Sequence, residues 1–453
     1  MKWLTLAFLF AASAASAQGV ARFENVSVTD VVETTRRAKP AKWTFDDCLA
    51  WSVENSTNVR EALLNVLLAD EEVGSAKDAW LPTVSFGTSQ SFTNFPSPAA
   101  GRDANSYGST YNVNAGWTVW EGNVRKYRLE SARIARNRMA LAGEDVVKDI
   151  TLGILQAYLD IMYAKEAVEI AKATLEVSDS QKERAKALME SGRTSSVEYA
   201  QIESQAAQDG YNLVQAESNL ATARLNLKKI LNLSLDEEIE IADVNFPDSE
   251  IAAVLPPKGD VFTYASGWLP QFGMNDLNRE IYANDIKIAK AGALPSIQLQ
   301  GGIGTGYSTG GAAWTSQMGH GFNESLGLSL SVPIYDGNST RRAVAKAKLA
   351  SLEYDINRDR LLDELSNNIE SLYIDAETAR ARYASGETQL EATELTARLV
   401  DRQFELGKVN PVDLLVAHNN LLSARLGQLQ NKYMAILANK TIEYYATRRV
   451  AMP

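Results

Sequence analysis

The sequence predicts an α+β protein, mostly α-helical, in which long coiled-coil helices accompany four β-strands of a transmembrane type. Three observations lead to this prediction: an internal duplication at one offset, strands with alternating apolar residues, and an apolar pattern that continues for about six heptads. The composition is that of a packed protein, because 45% of the residues are hydrophobic and 22% are charged.

The duplication is visible in two pairs of short motifs. Trp120-Glu121-Gly122-Asn123 corresponds to Tyr335-Asp336-Gly337-Asn338, and Glu190-Ser191-Gly192-Arg193 corresponds to Glu405-Leu406-Gly407-Lys408, both at an offset of 215 residues. One offset at two separate landmarks predicts two copies of one structural unit. We assign the first repeat to residues 43–233 and the second to 260–447, with a linker at 234–259 and a C-terminal tail at 448–453.

The N-terminus has the pattern of an export signal. Lys2 precedes an apolar run from Leu4 to Ala15, and Ala15-Ser16-Ala17 is a small-x-small cleavage site. We therefore predict a signal peptide at 1–17 and an N-terminal extension at 18–42; the alternative is a buried N-terminal helix. After residue 17 no run of 18 or more apolar residues occurs, so a membrane crossing would require a closed β-barrel.

Each repeat contains a helix, two strands separated by a polar loop, and then two helices broken at Gly192 or Gly407. We predict the first helices at 45–79 and 262–292, and the strands at 83–92, 110–120, 296–304 and 324–334. In the last strand Leu326, Leu328 and Leu330 alternate with small polar residues, as membrane strands do. A strand of a soluble β-sandwich alternates in the same way, so the pattern alone leaves both open.

The long helices are predicted by the absence of proline from Ser339 to Phe404 and by apolar spacings of three and four residues. Subtracting 215 gives the same phase in the first repeat, where only Ser178 and Lys182 are out of character. A helix of about 65 residues is roughly 100 Å long. The heptads alone also fit a solid coiled-coil rod.

Two hairpins supply four strands, which are too few to close a barrel, since about eight is the practical minimum. Open strand edges are not tolerated in lipid. If the strands lie in a membrane, the chain must therefore oligomerise, and a cyclic trimer of twelve strands closes the sheet.

Several function classes are disfavoured. The net charge of −11 argues against a nucleic-acid binder, and a single Cys48 and two histidines, His320 and His418, give no metal site. The glycine-rich run at 302–306 is not followed by a helix and does not predict a dinucleotide site. No nucleophile–base set is present, so we predict no enzymatic activity and no cofactor.

The chain resembles the TolC family of outer-membrane efflux and type I secretion channels over about residues 43–447. The resemblance rests on the Trp80-Leu81-Pro82 and Leu294-Pro295 segments before strands, the turn at 332–338, and the segment 404–415. It implies a homotrimer with a 12-stranded transmembrane β-barrel, a long α-helical periplasmic tunnel and a mixed belt that includes the linker.

The function that the resemblance implies is a passive exit duct of a tripartite efflux pump or type I secretion system, located in the outer membrane with a large periplasmic part. The implied partners are outer-membrane lipid, a periplasmic adaptor (membrane fusion protein) and an inner-membrane pump or ABC transporter. The alternative is a periplasmic coiled-coil adaptor or structural protein without channel activity. An adaptor would have one helical hairpin with β-rich flanks, whereas this chain has two.

By the same resemblance, the two helix–helix turns form the periplasmic entrance. The resemblance implies that the adaptor contacts Gly192, Arg193, Gly407 and Lys408. It also implies that the pore entrance is lined by Asp413, Glu198, Phe404, Val409 and Val416. The simpler interpretations are helix caps for the glycines and a favourable helix dipole for Asp413. Val416 is apolar where some members carry a second acid. Phe404 and Val409 stand where some members use Tyr and Arg to latch the closed entrance, so the resemblance does not imply a latch of that type here.

Overall fold

The computed structural model describes residues 39–98, 103–406 and 408–453, together with Phe23, Ser27 and Gly101. The predicted signal peptide, most of the predicted extension 18–42, and Gly407 lie outside the described residues. The chain divides into two compact units. One unit contains the residues up to Leu64, Leu141–Phe272 and Asp359–Pro453, and the other contains Asn65–Ala140 and Gly273–Arg358.

The first half of the chain is a pair of short helices, a β-hairpin and two long helices. These elements are α1 (Phe45–Asn55), α2 (Thr57–Asp78), β1 (Thr83–Asn94), β2 (Asn105–Glu121), α3 (Val124–Glu190) and α4 (Ser196–Leu231). The long helix α3 contains 67 residues, as the uninterrupted heptads predict.

The second half repeats this order after a short linker helix, α5 (Asp248–Ile251). It consists of α6 (Lys258–Trp268), α7 (Pro270–Ala291), β3 (Ser296–Ser308), α8 (Trp314–His320), β4 (Asn323–Ser331), α9 (Ser339–Glu405) and α10 (Pro411–Thr447). The long helix α9 also contains 67 residues, so the internal duplication extends to the helix length.

The prediction of one continuous helix before each hairpin was wrong, because each is divided into two helices. Ser56 separates α1 from α2 with an extended backbone at φ −65° and ψ 132°. Leu269 separates α6 from α7 at ψ 127°. The second break has a local cause, since the ring of Pro270 disfavours the helical conformation for the residue before it.

The strand boundaries also differ from the predicted ones. β2 and β3 are longer than predicted, because their antiparallel pairing continues to Gly108 opposite Ser308. β4 ends at Ser331, two residues before Pro333, which has no N–H for a ladder bond. The predicted polar loop at 305–322 contains the short helix α8.

The strands form one antiparallel sheet in the order β1-β2-β3-β4. Directly opposed residues project from the same face, so the register decides which side chains are neighbours. Phe86 opposes Val113, Val113 opposes Ile303, and Leu299 opposes Leu328. One face therefore collects most of the apolar side chains, together with Gln90, Ser109 and Glu324, and the other collects mainly Ser, Asn, Gln and Gly.

In the helical unit that contains the linker, the helices of the second repeat pack around a buried hydrophobic cluster. It includes Val261, Phe272, Leu365, Ile369, Ala376, Ala438 and Ile442. Two tyrosines at equivalent positions of the repeats bond to the linker. The Tyr158 hydroxyl donates to the Ala242 carbonyl over 3.0 Å, and the Tyr373 hydroxyl donates to the Pro256 carbonyl. The position of a tyrosine in each copy thus fixes the path of the connecting segment.

None of the helices in the described ranges combines the length and apolarity that a membrane-spanning helix needs.

Candidate entrance at the helix turns

The first helix turn joins α3 to α4 and ends α3 with a Schellman motif. The Arg193 N–H donates to the Leu188 carbonyl over 2.8 Å, and the Gly192 N–H donates to the Met189 carbonyl over 2.9 Å. Gly192 has a φ of 71°, in the left-handed region that favours glycine. The glycine is thus explained by the backbone of the turn, and both residues are exposed.

Glu198 lies in the first turn of α4 and is part of a capping box with Ser195. The Ser195 hydroxyl accepts from the Glu198 N–H over 3.1 Å, and the Glu198 carboxylate accepts from the Ser195 N–H over 3.0 Å. The Thr194 hydroxyl also donates to this carboxylate, and this bond contributes most to lowering the pKa of Glu198. The Glu198 carboxylate is therefore hydrogen-bonded to residues of the turn that precedes its own helix.

The second turn joins α9 to α10 and repeats this geometry. The Lys408 N–H donates to the Gln403 carbonyl over 2.9 Å, which matches the bond from Arg193 to Leu188. Asn410 caps α10 by accepting from the Asp413 N–H over 2.9 Å, and Pro411 occupies the first helical position. Gly407 itself lies outside the described residues.

Asp413 differs from Glu198 although both are the third residue of their helix. Asp413 is exposed, and its carboxylate has no hydrogen-bond or ion-pair partner in the part of the chain that the structure describes. Val416, one turn further on, is 53% exposed. Phe404 and Val409 are partly buried. Of the two predicted entrance acids, Asp413 is the one whose charge is available to solutes.

Near these turns, polar side chains of the first repeat contact those of the second. The Asp401 carboxylate accepts from His418 Nε2 over 2.8 Å and from Gln181 Nε2 over 3.3 Å. Arg184 donates to the Glu405 carboxylate over 3.0 Å. The sequence analysis found neither of the two links between the repeats, since Gln181 and Arg184 are about 220 residues away from their partners.

A further polar pair lies between α3 and α4. The Ser178 hydroxyl donates to the Asp209 carboxylate, and the two residues are 7% and 3% exposed. Gln205 donates to the other carboxylate oxygen over 3.0 Å. Ser178 is one of the two residues that were out of character in the heptad pattern, and Asp209 supplies the reason. The other, Lys182, forms an ion pair with Asp179 on its own helix.

No group of three or more His, Cys, Asp or Glu side chains in the described ranges has an arrangement that could hold a metal ion. The single cysteine, Cys48, is fully buried, and this burial raises the pKa of its thiol to about 12. A thiol in this state is a poor nucleophile.

Residues 52–233 and 270–445 match the sequence model of a protein family, which is described as the outer membrane efflux protein family. The chain belongs to this family. The two matched segments correspond to the two halves of the duplicated fold. The family comprises transport channels rather than enzymes, and the protein is an outer-membrane exit duct with a periplasmic part.

Individual relatives agree with this membership. The chain is 22% identical to the outer membrane efflux protein BepC of Brucella suis over 400 residues, which cover 87% of this chain and 83% of the relative. It is 22% identical to the outer membrane protein TolC of Vibrio cholerae, with 82% and 83% covered. The resemblance to TolC in the sequence is thereby confirmed.

Solved structures share the fold. The chain resembles CusC with a TM-score of 0.73 at 17% identity, covering 93% of this chain and 97% of CusC. It resembles the Campylobacter jejuni CmeC outer membrane channel with a TM-score of 0.70 at 15% identity, covering 93% and 91%. The helical hairpins and the four-stranded sheet are therefore common to channels of low sequence identity.

Proposed function

We propose that this family member acts as a homotrimer in which three four-stranded sheets close into one 12-stranded barrel. The observation that carries the proposal is the sheet with one apolar face and two free edges. Leu326, Leu328 and Leu330 on β4 are between 63% and 81% exposed, and every residue of β1 is exposed. Such an apolar surface on an outer-membrane protein is suited to lipid.

The free edges supply the reason for oligomerisation. Within the described residues β1 pairs only with β2, and β4 pairs only with β3. Each unpaired backbone group in hydrocarbon costs several kcal/mol, so the edges require partners. Pairing β4 of one copy with β1 of the next satisfies both edges in every copy, and three copies exceed the minimum of about eight strands for a closed barrel.

A second surface supports contact between copies. On α9, Leu349, Leu352 and Ile356 are 69%, 53% and 67% exposed at spacings of three and four residues. This spacing places them on one stripe of the helix, as in a coiled-coil seam. A helix that leaves such a stripe uncovered in the single chain is expected to bury it against another copy.

We further propose that the helix turns form the periplasmic entrance. Three copies of Asp413 around one axis would give a ring that attracts cations, and Val416 and the partly buried Phe404 and Val409 would line the narrow part. The exposed Gly192, Arg193 and Lys408, with Gly407, would contact a periplasmic adaptor. The energy for export would come from an inner-membrane pump or ABC transporter.

Two cargo classes remain candidates, small molecules and polypeptides. The chain is similar to BepC, named for efflux, and is 23% identical to the alkaline protease secretion protein AprF of Pseudomonas aeruginosa. These names support a common duct for either cargo, with the choice made by the transporter that joins it.

The test compares two neighbouring strand residues on opposite faces. An arginine on the lipid face costs about 2–4 kcal/mol at the middle of the bilayer, whereas lumen substitutions are tolerated. Leu328→Arg is therefore expected to prevent the trimer from appearing in outer-membrane extracts, and Ser329→Arg is expected to leave it intact. The readouts are particle mass by light scattering and conductance in planar bilayers.

A wild-type chain that is a monomer in extracts, or a trimer without conductance, would contradict the exit duct. The periplasmic adaptor or structural interpretation would then replace it. Equal tolerance of both arginine substitutions would contradict the assignment of the apolar face to lipid.

A further inference from the structure

A cavity of about 190 Å³ lies between α3 and α10, away from the helix turns. Its wall contains one carboxylate, two phenol rings, a thioether, an amide and aliphatic carbon. The residues that form this wall include Asp160, Tyr163, Gln430, Tyr433, Met434 and Leu437. None of these side chains is cationic, so the cavity contains an acid without a basic neighbour in its lining.

Asp160 is the group that the protein leaves uncompensated. Its carboxylate has no hydrogen-bond or ion-pair partner among the residues that the structure describes. Asp160 is an exposed residue at the open side of the cavity, and the neighbouring atoms that cover part of its carboxyl raise its pKa above the ordinary value of 3.8. A carboxylate that is partly removed from water without a partner is stabilised by a cation that enters beside it.

The aromatic part of the wall is fixed in position. Tyr163 and Tyr433 meet edge to face with their ring centres 6.3 Å apart. The Tyr433 hydroxyl donates to the Glu166 carboxylate over 2.6 Å, and burial raises the pKa of this phenol, which keeps it neutral. The rings therefore present immobile π-systems, which attract cations at their faces.

The protein already places one cation against this wall. The Lys432 ammonium lies 5.3 Å from the centre of the Tyr433 ring, and its charge is balanced by Glu166 at 3.2 Å. Among the residues that the structure describes, no lysine lies over the Tyr163 ring. Met434, whose thioether is polarisable, also lines the cavity and is 44% exposed. The groups of the cavity that have no charged partner among the described residues are thus the Asp160 carboxylate, the Tyr163 ring and the Met434 sulfur.

We propose that this cavity is a binding site for a small organic cation with an alkylated ammonium head. The carboxylate of Asp160 would neutralise the charge, and Tyr163 and Met434 would cover the alkyl groups. A carboxylate beside an aromatic face favours such a head over an inorganic cation, because the ring and the thioether contribute only to a weakly hydrated ion.

The duplication supplies a control site within the same chain. At the offset of 215, Asp160 corresponds to Asp375, but Tyr163 corresponds to Thr378 and Tyr433 corresponds to Ser218. The second copy therefore keeps the acid without the aromatic wall. Asp160 and Asp375 are both exposed, so the two positions differ in their aromatic neighbours and not in the exposure of the acid. The proposal assigns one site to each chain, at Asp160 and not at Asp375.

The experiment is isothermal titration of the full chain, in an amine-free non-ionic detergent, with benzyltrimethylammonium as the probe. We expect saturable binding by the wild type, a loss of affinity of about tenfold or more in Asp160→Asn, and no change in Asp375→Asn. Neopentylbenzene, which has nearly the same shape without the charge, should bind at least about tenfold more weakly to the wild type.

The pH dependence follows from the raised pKa of Asp160. The carboxylate must be ionised to attract the cation, so binding should weaken as the pH falls through that raised pKa. The loss should begin at a higher pH than an aspartate of ordinary pKa, 3.8, would produce.

Three results would overturn the proposal: no saturable heat from the wild type, equal losses in the two aspartate variants, or equal binding of the charged and neutral probes. The last comparison uses only the wild-type chain, so it decides the question even if a variant fails to fold. Particle mass and conductance of the same preparation are independent readouts. A conducting trimer that does not bind the probe would refute this site and leave the exit duct standing.

Discussion

The buried pair of Ser178 and Asp209 leads to a prediction about the stability of the first helical hairpin. Ser178→Ala removes the hydroxyl that donates to the Asp209 carboxylate, while the carboxylate stays in a position that is 3% exposed. Gln205 continues to donate to one carboxylate oxygen, and the other oxygen loses its partner. The substitution itself creates almost no cavity, so the effect comes from the acid that is left behind.

The size of the effect follows from the cost of a buried acceptor without a donor. Leaving such a group unsatisfied costs about 1–3 kcal/mol, and more when it is charged. A value of about 2 kcal/mol corresponds to an increase of roughly 30-fold in the population of locally opened molecules. Asp209→Asn, which removes the charge and keeps hydrogen-bonding capacity, should cost less than Ser178→Ala.

Amide hydrogen exchange measured by mass spectrometry reports this local opening directly. Exchange should accelerate in the peptides around Ser178 and Asp209, and it should be unchanged in the strands. Thr393→Val is the matched control, because Thr393 is the repeat equivalent of Ser178 and its hydroxyl donates to the Gln389 carbonyl of its own helix over 2.6 Å. The position equivalent to Asp209 is Ala424, so no acid is exposed by the control substitution.

Two outcomes would refute this reasoning. Exchange in Ser178→Ala that stays within about twofold of the wild type would mean that water or rearrangement satisfies Asp209 at little cost. An equal acceleration in Thr393→Val would mean that loss of a helix hydroxyl, rather than an unsatisfied acid, causes the effect.

Two further predictions concern the helix turns. Gly192→Ala should destabilise the end of α3 by about 1–2 kcal/mol, because an L-residue is strained at a φ of 71°. Faster amide hydrogen exchange confined to that turn would support this prediction, and unchanged amide exchange would contradict it. Asp413→Asn should reduce the cation preference of the conductance, measured as a smaller reversal potential in a salt gradient. An unchanged reversal potential would remove Asp413 from the pore, and Glu198→Gln is the control, because the Glu198 carboxylate is engaged by its own capping box.

The order of elements was predictable because it depends on short-range patterns that occur twice. Alternation of apolar residues indicated the strands, and heptads without proline indicated the 67-residue helices. The break at Leu269 was missed although Pro270 indicates it, because the apolar pattern continues through the break. The break at Ser56 was missed although Asn55-Ser56-Thr57-Asn58 is a run of residues that favour helix caps and turns.

The candidate entrance residues came from the resemblance to a family, and the structure of one chain leaves their position in a pore as a prediction. The structure adds a distinction that the sequence does not contain. Glu198 and Asp413 occupy equivalent places in the two repeats, yet Glu198 bonds to Thr194 and Ser195 whereas Asp413 has no partner among the described residues. Both turns have an equivalent N-cap, Ser195 or Asn410, so the capping residue does not cause the difference. The second turn has Val409 at the position of Thr194, and valine has no hydroxyl that could donate to the acid.

The sequence by itself determined the duplication, the element types, the helix caps and the amphipathic strands, since each depends on residues within about one heptad of each other or on a fixed repeat offset. Only the tertiary structure decided which polar residues meet: Asp401 with Gln181 and His418, Ser178 with Asp209, and the unpartnered Asp160 beside Tyr163 and Tyr433. The physical reason is that tertiary packing brings together residues as far as 304 positions apart, as with Glu144 and Arg448. Heptad periodicity predicts which face of a helix is buried without predicting which helix covers it.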